Sequence, residues 1–204
     1  MRASATALMS LLCFAFNSAV QAGQCLTSDS PGKLCTANDF EVVSEELVSG
    51  PPSCTEGEII PGDVVVRVGI LGNRVSTYDV GFFIGDSDSS PINGESCTFD
   101  SLIPLENPPT NPFDGFSGVG PYRDLDGNMC GDAAKGDGTI FKNFTLSNVL
   151  CQDDNNDGTL DVKYAITWKQ NDEVCDDPLD PANFDLATTS KCYRRYWRSP
   201  GAPP

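Results

Sequence analysis

The chain of 204 residues contains no histidine, and this absence excludes several kinds of catalytic site. Ser-His-Asp and Cys-His nucleophilic sites, and metal centres built on imidazole, all need that side chain. The cysteines form no Cys-x-x-Cys pair, so a zinc site is not indicated either. We therefore expect no enzyme; a secreted hydrolase that works with carboxylates alone is the remaining catalytic alternative.

Basic residues are also few, at 13 Lys and Arg against 29 Asp and Glu, which gives a formal net charge of −16. Nucleic-acid binding requires a basic surface, so that function is not expected. An acidic excess of this size fits a chain that holds divalent cations, or one that simply stays soluble.

Long apolar runs are missing as well. The longest, residues 7–16, follows Arg2 and precedes the small-residue pattern Val20–Ala22. It is shorter than the roughly 20 residues of a transmembrane helix and is typical of a signal peptide. We expect a signal peptide over residues 1–22, no membrane span, and a protein that is secreted or displayed at the cell surface.

The remaining chain is predicted to form one domain over residues 23–193, followed by a basic and aromatic, then Pro-rich, tail over 194–204. An even number of cysteines in an exported chain indicates disulfides, here up to four, whose pairing the sequence leaves open. The cysteines concerned are Cys25, Cys35, Cys54, Cys97, Cys130, Cys151, Cys175 and Cys192.

Several segments combine β-branched and aromatic residues with turn residues at their ends, as strands do. The clearest is 159–169, where large apolar residues alternate with smaller or polar ones. Its apolar face consists of Leu160, Val162, Tyr164, Ile166 and Trp168. The other predicted strands are 138–150, 63–71, 76–85 and 40–48, the last of which could equally form a short helix.

Short strands, rich turns and cross-linking cysteines predict an all-β fold, an antiparallel immunoglobulin-like β-sandwich with long loops, stapled by disulfides. Residues 104–124 carry Pro and Gly too densely for regular structure and are predicted to be a long loop. Such a loop is either functional or an insertion anchored by a disulfide.

The segment 153–161 has the ligand spacing of a calcium loop, because calcium takes oxygens from alternate residues around a sharp turn at Gly. The candidate ligands are Asp153, Asn155, Asp157, Thr159 and Asp161. Tyr164 stands where an EF-hand has its closing Glu, and the flanks read as strands, so a structural calcium site is indicated and a sensor is not. A polar hairpin turn is the alternative, since Asp and Asn favour turns for conformational reasons alone.

A second acidic loop, 124–132, offers Asp124, Asp126, Asn128 and Asp132. A third, 85–90, offers Asp86 and Asp88 and is much less specific. If 139–150 is a single strand, its ends lie roughly 35 Å apart. The first two loops would then lie at opposite ends of the sandwich and bind separate ions.

Two further features carry weaker signals. Asn143 begins an Asn-Phe-Thr sequon on the polar face of its strand, which predicts an exposed N-glycosylation site. Arg194, Arg195 and Arg198, with the aromatic residues among them, could bind an acidic partner or dock on the protein's own acidic loops as a last strand.

The ordered set CTANDFEVVS, YDVGFFI, DLDGNMCGD, CQDDNNDGTLDV and SKC, within residues 35–192, resembles a cysteine-rich module of large exported bacterial surface proteins. The resemblance implies a β-sandwich with disulfides, an acidic, calcium-binding edge and no enzymatic activity. The chain departs from such modules at Ala165–Thr167 and after Cys192, where further cysteines are common.

We therefore expect a non-enzymatic structural or adhesion module, stabilised by calcium and disulfides. Its partner would be an extracellular protein or glycan, or further copies of itself. A secreted protein that binds a glycan or another soluble ligand through the 104–124 loop is the alternative.

Overall fold

A computed structural model describes most of the chain, and the described residues form eight strands and one short 3-10 helix, Pro181–Phe184. The described residues are 22–23, 25–26, 35–85, 97–103, 123–154, 156–186 and 190–198. The strands are β1 Ala22–Gly23, β2 Phe40–Ser49, β3 Asp63–Gly72, β4 Tyr78–Gly85, β5 Cys97–Ser101, β6 Thr139–Ser147, β7 Asp161–Lys169 and β8 Ser190–Arg198.

The strands form two antiparallel sheets. The larger has the order β1-β5-β4-β7-β8, and the smaller has the order β2-β3-β6. No α-helix occurs among the described residues. The prediction of an all-β antiparallel fold is confirmed.

The two sheets enclose the main core. In β3, Val64, Val66, Val68 and Ile70 point inward and are at most 2% exposed, as the alternation of the sequence requires. Aromatic pairs join the sheets: the Phe82 and Phe144 rings lie 5.2 Å apart, and Phe40 meets Trp168 edge to face at 4.9 Å. The smaller sheet therefore lies with β2 over β7 and with β6 over β4.

The larger sheet is covered on its outer face too. A second cluster of buried residues lies there: Leu26, Phe83, Cys130, Ala165, Cys175 and Phe184. The face of β7 opposite the main core is buried for the same reason, with Thr167 at 1% and Lys169 at 7% exposure. Strand alternation identifies the face toward the partner sheet, but it does not reveal this second layer.

All eight cysteines described in the domain are paired in four disulfides, the number that the sequence predicts. The pairs are Cys25–Cys97, Cys35–Cys192, Cys54–Cys151 and Cys130–Cys175. Cys151 adjoins one acidic loop and Cys130 lies inside the other, so each loop is tied by its own disulfide. Four disulfides are typical of proteins from oxidising compartments.

The structure resolves the choice for residues 40–48, which form strand β2 and not a helix. It adds β5, which the sequence does not reveal, and extends β8 to Arg198, past the domain end predicted at residue 193. Most of the predicted 104–124 loop and of the signal peptide lies outside the described residues. Within the described part of the chain, no helix has the length and apolarity needed to cross a membrane.

Candidate metal centre

The centre begins with Asp79, a carboxylate that the sequence pattern alone does not identify. Asp79 follows the first residue of β4 and has a positive φ of 50°, at an irregularity in the pairing with β7. Its side chain is fully buried, and its backbone N–H donates to Asp132 Oδ1 at 2.9 Å. The sequence does contain a hint of this role, since Asp79 is a charged residue inside the apolar run YDVGFFI, and a buried Asp needs a partner.

The loop 124–132 is held against the start of β4 by backbone hydrogen bonds. Thr77 and Ala133 exchange a pair of bonds at 2.9 and 3.0 Å, and Val80 N–H donates to Gly131 O at 2.9 Å. A Cβ atom at Gly131 would lie 2.6 Å from the carbonyl oxygen of Leu102, so only glycine permits this approach. These contacts fix where the loop's carboxylates lie.

A tight turn inside the loop positions Asp126. Asp124 Oδ1 accepts from the N–H groups of Asp126 at 3.2 Å and Gly127 at 2.7 Å, and Gly127 has a φ of +82°. Asn128 is drawn inward, where its Nδ2 donates to Asp126 Oδ2 at 2.9 Å and Asp79 Oδ1 at 3.2 Å. The turn thus directs side chains of the loop toward β4.

Three carboxylates converge as a result. Oxygen atoms of Asp79, Asp126 and Asp132 lie within 4.8 Å of one another. Two carboxylate oxygens of the loop, Asp126 Oδ1 and Asp124 Oδ2, are buried and have no hydrogen-bond partner among the described residues. Hard cations such as Ca²⁺ prefer this type of ligand, so the donor set fits the ion that the sequence predicts.

The disulfide Cys130–Cys175 borders the centre and has a structural role there. Both sulfur atoms also lie within 4.8 Å of an Asp79 carboxylate oxygen. Because they are bonded to each other, they provide no thiolate for a metal. The disulfide instead joins the loop to residues 173–175, whose Glu173 carbonyl accepts from Asn128 Nδ2 at 3.1 Å.

One cation of the protein already contacts the cluster. Lys169, at the end of β7, places Nζ 3.2 Å from Asp79 Oδ2 and 3.5 Å from Glu173 Oε2. Its side chain is 8% exposed, so this ion pair is largely shielded from water. A single ammonium group does not balance three clustered carboxylates.

The pKa values of all three carboxyl groups are raised. Burial, reinforced by the charge of Asp79, raises the pKa of Asp126 to about 7. Burial likewise raises the pKa of Asp132 to about 8, against the opposing effect of the Leu125 and Asp79 N–H donors. Burial also raises the pKa of Asp79, although Lys169 works in the other direction. The cluster favours a proton or a cation.

The loop 153–161 uses its carboxylates differently. Asp153 accepts from Asp157 N–H and Gly158 N–H, both at 2.8 Å, and Asp157 Oδ1 accepts from Thr159 N–H at 2.9 Å and from the Thr159 hydroxyl. Asp161 Oδ2 accepts from Asp154 N–H at 2.9 Å. These carboxylates satisfy the backbone of their own turn.

In the described part of this loop, no three Asp or Glu side chains converge as those around Asp79 do. Asn155 lies outside the described residues, as do Asp86 and Asp88 of the third predicted loop. Calcium binding by residues 153–161 therefore stays a prediction.

The two main acidic loops lie at opposite ends of β7. Asp161 is the first residue of that strand, and Lys169, which contacts Asp79, is the last. The nine residues of β7 are separated by eight steps of about 3.3 Å, so the two ends lie roughly 26 Å apart. The inference that the loops cannot share an ion agrees with this geometry.

Asn143 lies where the sequence places it, on the exposed face of β6, with Phe144 buried on the other side. Comparison of the chain with protein-family models, with curated proteins and with solved structures found no match. Function is therefore argued from the chain's own residues.

Proposed function

We propose that this chain is an exported, non-enzymatic structural or adhesion module of immunoglobulin-like type, in which disulfides and a bound calcium ion hold the loops in place. The observation that carries the proposal is the convergence of Asp79 from β4 with Asp126 and Asp132 from a loop that a disulfide fixes. The resemblance of the chain to cysteine-rich modules of exported bacterial surface proteins supports the same role.

Calcium supplies a physical reason for the cluster. Three carboxylates held within 4.8 Å repel one another, and a divalent cation converts this repulsion into attraction. Asp79, Asp126 and Asp132 would hold the ion, with the unpartnered Oδ2 of Asp124 nearby. Because the unfolded chain has no such cluster, the free energy of ion binding adds to the stability of the fold.

The burial of the carboxylate cluster favours a structural role over catalysis. Perturbed carboxyl pKa values also mark active sites, which keeps a carboxylate hydrolase as the alternative. Asp79 and Asp132, however, are fully buried, so no substrate reaches them without opening the loop. An ion enclosed by these residues would act on the fold and not on a substrate.

The proposal is tested by the melting temperature in calcium and in EDTA. We expect EDTA to lower the melting temperature of the native chain and to have little effect on Asp126→Asn. Asp157→Asn is the matched control in the other loop and should keep most of the EDTA effect. A native chain whose melting curve is the same in calcium and in EDTA would contradict the calcium centre.

The assembly role needs its own measurement. Size-exclusion chromatography with light scattering, in calcium and in EDTA, would detect a calcium-dependent oligomer. Self-association in calcium supports a subunit of an extracellular assembly, and a monomer that binds a glycan array supports the ligand-binding alternative.

A further inference from the structure

The outer face of the smaller sheet carries an aromatic side chain next to the sequon. In a strand, residues two positions apart lie on the same face, so Phe141, Asn143 and Thr145 all point outward from β6. Asn143 and Thr145 are exposed, and Phe141 is half-buried. The sequon therefore presents its acceptor roughly 7 Å along the strand from a phenyl ring.

Backbone geometry makes the ring lie against the sheet. Gly69 of β3 is directly opposite Phe141 in the pairing of β3 with β6. A Cβ atom at Gly69 would clash with Ser44 Oγ and lie 2.9 Å from Phe141 Cε1, so Ser44 and the ring share the space that the missing side chain leaves. The ring is held close to the strand instead of extending into solvent.

Arg67 completes the surface. It is the residue of β3 directly opposite Asn143, and its guanidinium carbon lies 4.4 Å from the centroid of the Phe141 ring. This is a cation–π contact. The guanidinium also puts N–H donors on the face of the sheet that carries Asn143. Ring and guanidinium thus form one surface beside Asn143, which we call the Phe141–Arg67 platform.

We propose that the Phe141–Arg67 platform binds the first sugar of a glycan attached to Asn143. One face of an N-acetylhexosamine is lined by C–H groups, and these groups pack against the exposed surface of the stacked ring and guanidinium. Its hydroxyl and N-acetyl oxygens accept from the guanidinium. The attached sugar lies along the strand toward Phe141 and stabilises β3 and β6 against each other.

This inference is independent of the calcium centre, which lies between β4 of the larger sheet and the 124–132 loop. The pairing of Arg67 with Asn143 and the contact of Arg67 with Phe141 carry it together. An exposed sequon alone would predict modification, but it would predict no gain in stability.

The test uses the full chain produced in a eukaryotic secretory host and trimmed enzymatically to a single sugar. Thr145→Ala removes the sequon and keeps Asn143, so it supplies the unmodified reference. We expect the single sugar to raise the melting temperature by about 2–4 °C. In the Phe141→Val background the same comparison should show less than half of that gain. NMR should also show sugar protons whose chemical shifts are changed by the ring current of Phe141, and Phe141→Val should abolish this change.

A second sequon provides a control. Glu41→Asn with Val43→Thr creates one on the exposed side of β2, where Asp39 stands two residues before the acceptor instead of an aromatic residue. Its sugar should not raise the melting temperature. The proposal is overturned if Asn143 stays unmodified in that host, if both Phe141 backgrounds gain equally, or if no ring-current shift is seen.

Discussion

The two acidic loops at the ends of β7 have similar ligand spacing, yet they use their carboxylates in different ways. In 153–161 the Asp side chains accept backbone N–H groups of their own turn. In 124–132 Asp124 and Asp132 also accept backbone N–H groups of the loop, but Asp126 and Asp132 in addition converge on Asp79 from β4. Spacing along the chain defines a turn; a buried carboxylate from a distant strand is what makes a metal centre of it.

The two loops also differ in how buried their ion pairs with the lysines of β7 are. Lys163 pairs with Asp154 at 3.2 Å near the first loop, where the Asp side chain is 46% exposed. Lys169 pairs with Asp79 at 3.2 Å near the second, where the Asp side chain is fully buried. The two distances are equal, but the solvent exposure differs. The exposed pair with Asp154 is therefore weak, and the buried pair with Asp79 is costly to break.

Removing these lysines should give the largest difference between the loops. Lys169→Met leaves Asp79 buried without its cation, and we expect a loss of about 3–5 kcal/mol in the free energy of unfolding in EDTA. Calcium should recover part of that loss, because the ion replaces the missing charge. Lys163→Met, the matched control, should cost about 0–1 kcal/mol in either condition. Urea unfolding measures both, and equal small losses would contradict the account.

Removing the disulfides should separate the loops by their response to calcium. Cys54→Ala with Cys151→Ala and Cys130→Ala with Cys175→Ala should each cost about 2–4 kcal/mol. Only the second pair of changes frees the loop that carries Asp126, so only it should also abolish the effect of EDTA on the melting temperature. An EDTA effect that survives loss of Cys130–Cys175 would show that this disulfide does not organise the centre.

A more gradual effect should be the dependence of stability on pH. Because the native pKa values of Asp126 and Asp132 are raised to about 7 and about 8, the native state holds protons that the unfolded chain has already released. In EDTA, the free energy of unfolding should therefore fall as the pH rises through these values. Calcium should flatten the dependence, since it takes the place of the protons. Stability in EDTA that is constant or rises over this range would contradict the proposed arrangement.

The contrast between the loops also explains what sequence alone could predict. Alternation along β3 and β7 identified residues that face the core, since a strand places every second side chain on one face. Ligand spacing identified both acidic loops. Asp79 was missed because its role arises from an irregular turn at the start of β4 and from contacts more than fifty residues away.

The second layer over the larger sheet was missed for a similar reason. Phe184 packs closely on Gly81, where a Cβ atom would lie 2.8 Å from its ring. Nothing in the local pattern around Phe184 shows that it packs against β4. Contacts of this kind depend on the path of the whole chain, as do the pairings of the disulfides.

The most direct test of the central claim is a crystal structure grown in calcium, with anomalous data collected to locate the ion. The account predicts an anomalous peak between the carboxylates of Asp79, Asp126 and Asp132, with Lys169 Nζ displaced toward Glu173. A crystal grown in calcium that shows no peak at that position, and in which Lys169 is still paired with Asp79, would contradict the account.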